Sequence, residues 1–227
     1  MLNDSNSHAF IGDRALATWE VVSVVSSVFI AEWMVASASG LSKSIVAIPI
    51  TLAFLFMVFS HATRTESLEQ LGFRFDDFFR ALKLLLLPMI AIAVILLIVG
   101  WRLGGKVDFL KWHGSRPLAV QLFVGFAWGL MQQYVLQGFV NRRLMLALGK
   151  GWGSILIVAA IFGCLHLPNV LATSITFMGG LIWATVYQRA PNLFALAASH
   201  SLMTWLLVST LPDAILHHLR VGLGYFG

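Results

Sequence analysis

Two histidines, three glutamines and an asparagine stand where the surrounding sequence is apolar. Gln132, Gln133 and Gln137 lie in MQQYVLQGFVNRRL, residues 131–144; His166 and Asn169 lie in IFGCLHLPN; His200 lies in LAASHSLMTW. A neutral imidazole can act as a base near pH 7. A primary amide cannot, but it carries two donors and an acceptor. Leaving such an amide unpaired in an apolar medium costs roughly 2–7 kcal/mol. Gln133 and Gln137 are four apart, one above the other on a helix face, with Gln132 about 100° round from Gln133. Phe162 precedes His166 by four. Pro168 breaks the helix just after it and frees a backbone carbonyl there. Thr204 shares the His200 face, and Ser199 and Ser201 flank it. Glutamines inside a bundle can also be interhelical glue, at about 0.6–2 kcal/mol per contact, and a lone histidine can be structural. Two histidines in separate segments, with an amide cluster in a third, favour a site.

The elements that position these residues are membrane spans. The chain has 227 residues, 59% hydrophobic and 11% charged, with mean hydropathy +0.85. Charged residues make up about 25% of a soluble domain, so this chain cannot cover a water-facing surface. Apolar segments recur at 16–38, 45–62, 82–101, 118–140, 152–170, 171–188 and 192–211, against the roughly 20 residues a span needs. The sequence predicts an all-α bundle of about seven spans. A polar tail covers 1–15, and a single transmembrane domain covers 16–227, with its motif-bearing core at 118–207. RTESLEQLGFRFDDFFRAL is expected to be an amphipathic helix on the membrane surface.

The Lys and Arg at 14, 64–83, 142–150 and 189 outnumber those at 43, 102–116 and 220, which puts the N-terminus on the cytoplasmic side of a cell membrane. The formal charge is +5, but the basic residues lie between apolar runs, so they face lipid headgroups rather than nucleic acid. The Arg142–Arg143 pair is expected to cap a span at the headgroups, and Glu20 to reach the interface from its span end. MGGLIWA is expected to pack closely against a helix through Gly179 and Gly180. Glu32 lies deeper, as a catalytic carboxylate or the partner of a buried polar group. The single cysteine, Cys164, excludes an internal disulfide and a cysteine-rich metal site. A catalytic zinc usually takes three protein ligands, and beyond His166 and His200 only Glu32 is available, so no metal is expected.

The order of these motifs resembles the Abi family of intramembrane proteases, also called CPBP, which includes the type 2 CAAX prenyl proteases. That family carries Glu-Glu-x-x-x-Arg on one span, Phe-x-x-x-His on the next, and later a His with Asn or Asp four residues on. The matching text is QQYVLQG at 132–138, FGCLHLPN at 162–169 and HSLMT at 200–204. The resemblance implies an intramembrane endopeptidase acting on a membrane-embedded or prenylated peptide. In the family a glutamate activates water, while His and Asn position it or stabilise the oxyanion. Both glutamates are glutamine here, Gln132 and Gln133; the arginine is Gln137, and the Asn/Asp position is Thr204. An amide cannot be a general base.

The changes are concerted, because a buried guanidinium without carboxylates would be an uncompensated charge. The three amides can instead pair with one another. In a working site, one His deprotonates water, Gln133 orients it, and Gln137 or Asn169 donates to the oxyanion, with Phe162, Thr204 and Glu32 in support. Two other readings stay open. One is a catalytically inactive pseudoprotease that binds a membrane protein partner or lipid. The other is a His-based enzyme acting on a lipid or isoprenoid.

Overall fold

The computed structural model is all-helical among the residues it describes, which are 4–35, 43–104, 106–111 and 117–226. Five helices are long and apolar enough to cross a membrane: Gly12–Trp33, Phe78–Arg102, Leu118–Leu148, Val170–Arg189 and Leu193–Thr210. Ala47–Thr63 and Trp152–Cys164 are shorter apolar helices. These seven coincide with the seven apolar segments of the sequence. The helix Trp152–Cys164 has 13 residues, about 20 Å at 1.5 Å per residue.

In order, α1 is Asp4–Phe29, continued by a π-helical turn Ile30–Val35. Then come α2, Lys43–Thr63; α3, Leu68–Leu71; and α4, Phe78–Arg102. α5, Leu118–Gln133, runs through a π-helical stretch, Tyr134–Asn141, into α6, Arg142–Leu148. α7 is Trp152–Cys164, α8 Val170–Arg189, α9 Leu193–Thr210 and α10 Asp213–Leu216. The chain forms two compact units. The first is Met1–Ser67, Phe139–Leu181 and Arg220–Gly227; the second is Leu68–Gly138 and Ile182–Leu219. Residues 4–15, polar in sequence, are helical and continuous with the first span.

In the first unit α1 packs on α2 and α6. Its buried face is Ala17, Glu20, Val21 and Val24, a 3.6-residue stripe that includes a carboxylate. α7 meets α8 where Gly180 lies against Ala159: a Cβ at Gly180 would come within 2.8 Å of the Ala159 Cα. The small residue is what lets the two backbones approach, as the MGGLIWA sequence predicts.

In the second unit α9 packs on α4 and α5. Gly100 and Gly129 bring the backbones close: a Cβ at Gly100 would lie 2.5 Å from the Thr210 carbonyl, and one at Gly129 2.7 Å from the Ser201 hydroxyl. The outer face of α4 is apolar, with Leu86, Leu87, Ile90, Ile95 and Ile98 all exposed. Apolar residues on the outside as well as in the core are what a lipid solvent requires.

The segment between α2 and α4 is not the amphipathic helix the sequence suggests. α3 ends after one turn because Gly72 takes φ +100°, with Gly72 N–H donating to Glu69 and Phe73 N–H to Leu68. This is a glycine-terminated helix end. The chain is then tied down by long-range bonds: the Tyr187 hydroxyl donates to the Leu71 carbonyl at 2.9 Å, and Leu193 N–H to the Gly72 carbonyl at 2.8 Å. Tertiary anchoring replaces helical continuation there. The glycine seam also gives a test. Gly180→Leu is expected to lower stability by about 1–3 kcal/mol through overpacking, read as an earlier detergent-unfolding midpoint, whereas Gly153→Leu, where a Cβ meets nothing within 4 Å, leaves it unchanged.

Candidate functional site

In the second unit, Gln133 is the last residue of α5 and His200 lies mid-way along α9. The Gln133 amide nitrogen donates to Nδ1 of His200 at 3.1 Å, with Gln133 fully buried and His200 8% exposed. An imidazole that accepts at Nδ1 is neutral and carries its hydrogen on Nε2. Trp183, on α8, stacks on the His200 ring with centroids 4.6 Å and planes 16° apart. Its indole N–H donates to Ser199 at 3.0 Å, and Ser199 donates to the Met89 sulfur at 3.1 Å. The amide thus fixes the tautomer and the indole fixes the ring plane.

The expectation that the three amides pair with one another is corrected. Gln133 spends its donor on His200, the Gln132 Oε1 is buried without a partner, and neither bonds to Gln137. The cause is in the backbone. Helix α5 changes to a π-helix at Tyr134, where bonds close over five residues rather than four, so Gln137 is no longer stacked one α-turn above Gln133. Gln137 is itself fully buried. Thr204 is half-buried and forms no hydrogen bond among the described residues.

The first unit holds Phe162, His166, Asn169 and Glu32. α7 ends at Cys164, and His166 sits in the turn before a cis Leu167–Pro168 bond. Its Nδ1 donates to the Phe162 carbonyl at 2.8 Å, and its ring meets Phe162 edge-on with centroids 4.9 Å apart. Because a carbonyl only accepts, His166 carries a hydrogen on Nδ1, whereas in His200 Nδ1 is the acceptor. Asn169 Oδ1 accepts from Ala172 N–H at 3.1 Å and so caps α8, while its Nδ2 donates to the Arg220 carbonyl at 3.3 Å. The carbonyl freed by Pro168 is that of Cys164, which accepts from Leu167 N–H at 3.1 Å, while the Leu167 carbonyl accepts from Gly222 N–H at 2.7 Å. Glu32 lies in the π-turn after α1, its Oε2 buried without a partner and with no ion pair to His166. Within each unit, among the described residues, no three His, Cys, Asp or Glu side chains converge.

A second polar cluster in the first unit is charged. Arg143 on α6 is 0% exposed; its Nε lies 2.8 Å from Glu20 Oε2 and its Nη2 2.8 Å from Glu66 Oε2. Arg142 reaches Glu66 at 2.7 Å, Arg64 reaches Glu20 at 3.2 Å, and Ser60 donates to Glu20 at 2.6 Å. His61 Nδ1 lies 2.7 Å from Glu66, and the Phe139 ring sits under the Arg143 guanidinium at 4.9 Å. Burial raises the Glu66 carboxyl, but hydrogen bonds from His61, Arg143 and Arg142 outweigh it and hold it well below the usual carboxylate range. Arg143 is therefore spent on carboxylates inside the first unit, and Glu20 on Arg143, Arg64 and Ser60. The signal was present for Glu20, which shares the buried stripe of Ala17, Val21 and Val24. For Arg143 and Trp183 no local pattern marks the role.

The family model described as Type II CAAX prenyl endopeptidase Rce1-like matches residues 114–206, the stretch from α5 through most of α9. That is the family of the resemblance, and it includes all three motifs. Over that stretch, less than half of the 227 residues, the chain is similar to this family, and its long apolar helices make it an integral membrane protein. Neither the curated proteins nor the solved structures give a match.

Two outcomes follow from the charged cluster. Arg143→Met, which takes from Glu20 and Glu66 their shared buried cation, is expected to cost about 3–5 kcal/mol, and adding Glu20→Gln and Glu66→Gln is expected to recover most of it, as read from unfolding midpoints in detergent. Because the Glu66 carboxyl is lowered on folding, its contribution is complete above the ordinary 4.5 and is lost as pH falls below that value. Stability should therefore be level from neutral pH to about 5 and then decline, less steeply in Glu66→Gln.

Proposed function

We propose that this protein is an intramembrane endopeptidase acting on a membrane-embedded or prenylated peptide, with histidine in place of glutamate as the base. The observation that carries the reading is the hydrogen bond from His166 Nδ1 to the Phe162 carbonyl at 2.8 Å, which leaves Nε2 as the nitrogen able to take the proton of an attacking water. In the second unit the Gln133 amide donates to Nδ1 of His200 at 3.1 Å, which leaves the Nε2 hydrogen of that ring as a donor. In this reading Gln132, Gln137 and Asn169 supply amide donors, while Phe162, Trp183, Thr204 and Glu32 support them. The family match to 114–206 supports the peptide substrate. Two imidazoles fall short of the three ligands a catalytic zinc takes, so we read the reaction as metal-free. We assign the protein to the cell membrane with the N-terminus cytoplasmic, on the distribution of Lys and Arg.

A second reading has one observation in its favour. The glutamates of the family's motif are amides here, and the Gln133–His200 pair is neutral. That arrangement suits a pseudoprotease binding a membrane protein partner. The test compares wild type with His166→Ala and His200→Ala in the native host, profiling membrane peptides and lipids by mass spectrometry. A peptide product that falls about 10²–10⁴-fold in His166→Ala and about 10²–10³-fold in His200→Ala, unaffected by a metal chelator, is expected. Identical products in all three strains, with a co-purifying partner lost from the variants, would instead establish the binding protein; a lipid product would point to isoprenoid or lipid chemistry.

A further inference from the structure

The turn that carries His166 also holds a distant piece of chain. Leu167–Asn169 and Arg220–Gly222, both in the first unit, are joined by two hydrogen bonds. Gly222 N–H donates to the Leu167 carbonyl at 2.7 Å, and Asn169 Nδ2 donates to the Arg220 carbonyl at 3.3 Å. Val221 between them is extended, with φ −134° and ψ 169°. In an extended chain the carbonyl before a residue and the N–H after it point to the same edge. Both bonds come from the backbone of the segment and neither from its side chains. Capture of a chain through its backbone carbonyl and N–H is a recurring mode of peptide recognition.

The other wall of the groove is Glu32. Gly222 is buried with φ +56°, and a Cβ there would lie 3.1 Å from the Glu32 carbonyl oxygen and 3.2 Å from its Cβ. Only glycine fits that approach at that backbone angle. The docking is not dictated by the preceding chain either. His217, His218 and Leu219 are all left-handed, at φ 47°, 53° and 55°, a conformation non-glycine residues rarely hold. So a strip of backbone lies between the carboxylate-bearing π-turn and the turn of the base, with its carbonyl on an amide donor.

We infer that the groove bounded by Leu167–Asn169 and Glu32 is a binding site for an extended peptide backbone, occupied in this structure by the chain's own Arg220–Gly222, which must leave before another peptide enters. What that peptide is rests on the peptidase reading; the groove does not. The segment is then self-inhibitory, a stand-in for substrate held by its backbone.

The test inserts a protease recognition sequence between His217 and His218, both exposed. The full chain is purified in detergent and then cut, so folding precedes cleavage. The probe is a fluorescent peptide with the sequence LRVGLGYFG of residues 219–227. A tethered segment acts at an effective concentration in the millimolar range, so the cut chain is expected to bind the peptide at least about 10²-fold more tightly than the uncut chain. A peptide carrying Gly222→Val should lose that binding. A cut chain that binds no peptide, or cut and uncut chains that bind alike, overturns the inference. Cleavage of membrane peptides is followed separately on the same samples. Peptide binding by a cut chain that cleaves nothing upholds the groove and removes the peptidase reading, whereas cleavage that rises on cutting and vanishes with His166→Ala upholds both.

Discussion

A charge in an apolar solvent has to be paired inside the molecule, and Arg143 is where the first unit meets that demand. Two carboxylates, Glu20 from α1 and Glu66 from the turn after α2, share its guanidinium. Each is supported in turn, Glu20 by Arg64 and Ser60, Glu66 by Arg142 and His61. Three helices are thereby fixed by one side chain on α6. Desolvating two opposite charges costs several kcal/mol per ion even after relaxation, and the pair balances this only when the remaining donors and acceptors are filled. The planar guanidinium, with five N–H groups, serves two carboxylates and a serine at once in a way a lysine cannot. The cluster therefore specifies where α1, α2 and α6 meet more than it adds net stability.

The candidate site solves the same problem by the opposite route. Where the family that its motifs resemble has two glutamates and an arginine, this chain has three amides, one of which donates to Nδ1 of His200 and so holds that imidazole neutral. A neutral pair can be buried for the cost of a hydrogen bond, without the desolvation of an ion pair. Charge is kept in the ring of residues around Arg143 and removed from the residues of the three motifs. Both arrangements answer the same constraint, that a polar group at depth is costly without a partner within a few ångströms.

Much of the fold was legible because lipid exposure writes itself into composition. Seven apolar stretches became seven apolar helices, and the Gly180 approach to Ala159 followed from a small-residue step. The motif order was legible for the same reason, since Gln133, His166 and His200 are anomalies in apolar text. What was not legible depends on tertiary partners. Gly72 ended a helix that the charge pattern extended, because Leu193 and Tyr187 were available to take the backbone bonds. Arg143 looked like a headgroup anchor because nothing near it in sequence reveals two carboxylates brought from α1 and the α2 turn. Trp183 gave no hint of stacking on His200, since an indole in a span is ordinarily packing or an interface anchor.

The amide pattern misled for a subtler reason. Spacing of four places Gln133 and Gln137 on one face only while the helix remains α, and here the bonding pattern changes at Tyr134, one residue after Gln133. A π-helical stretch costs geometry that an ordinary helix does not, so its persistence through Asn141 has to be supported by packing; Phe139, Val140 and Asn141 are all at most 1% exposed. The change of bonding pattern takes Gln137 off the face it would share with Gln133 in an unbroken α-helix, and the Gln133 amide is spent instead on His200.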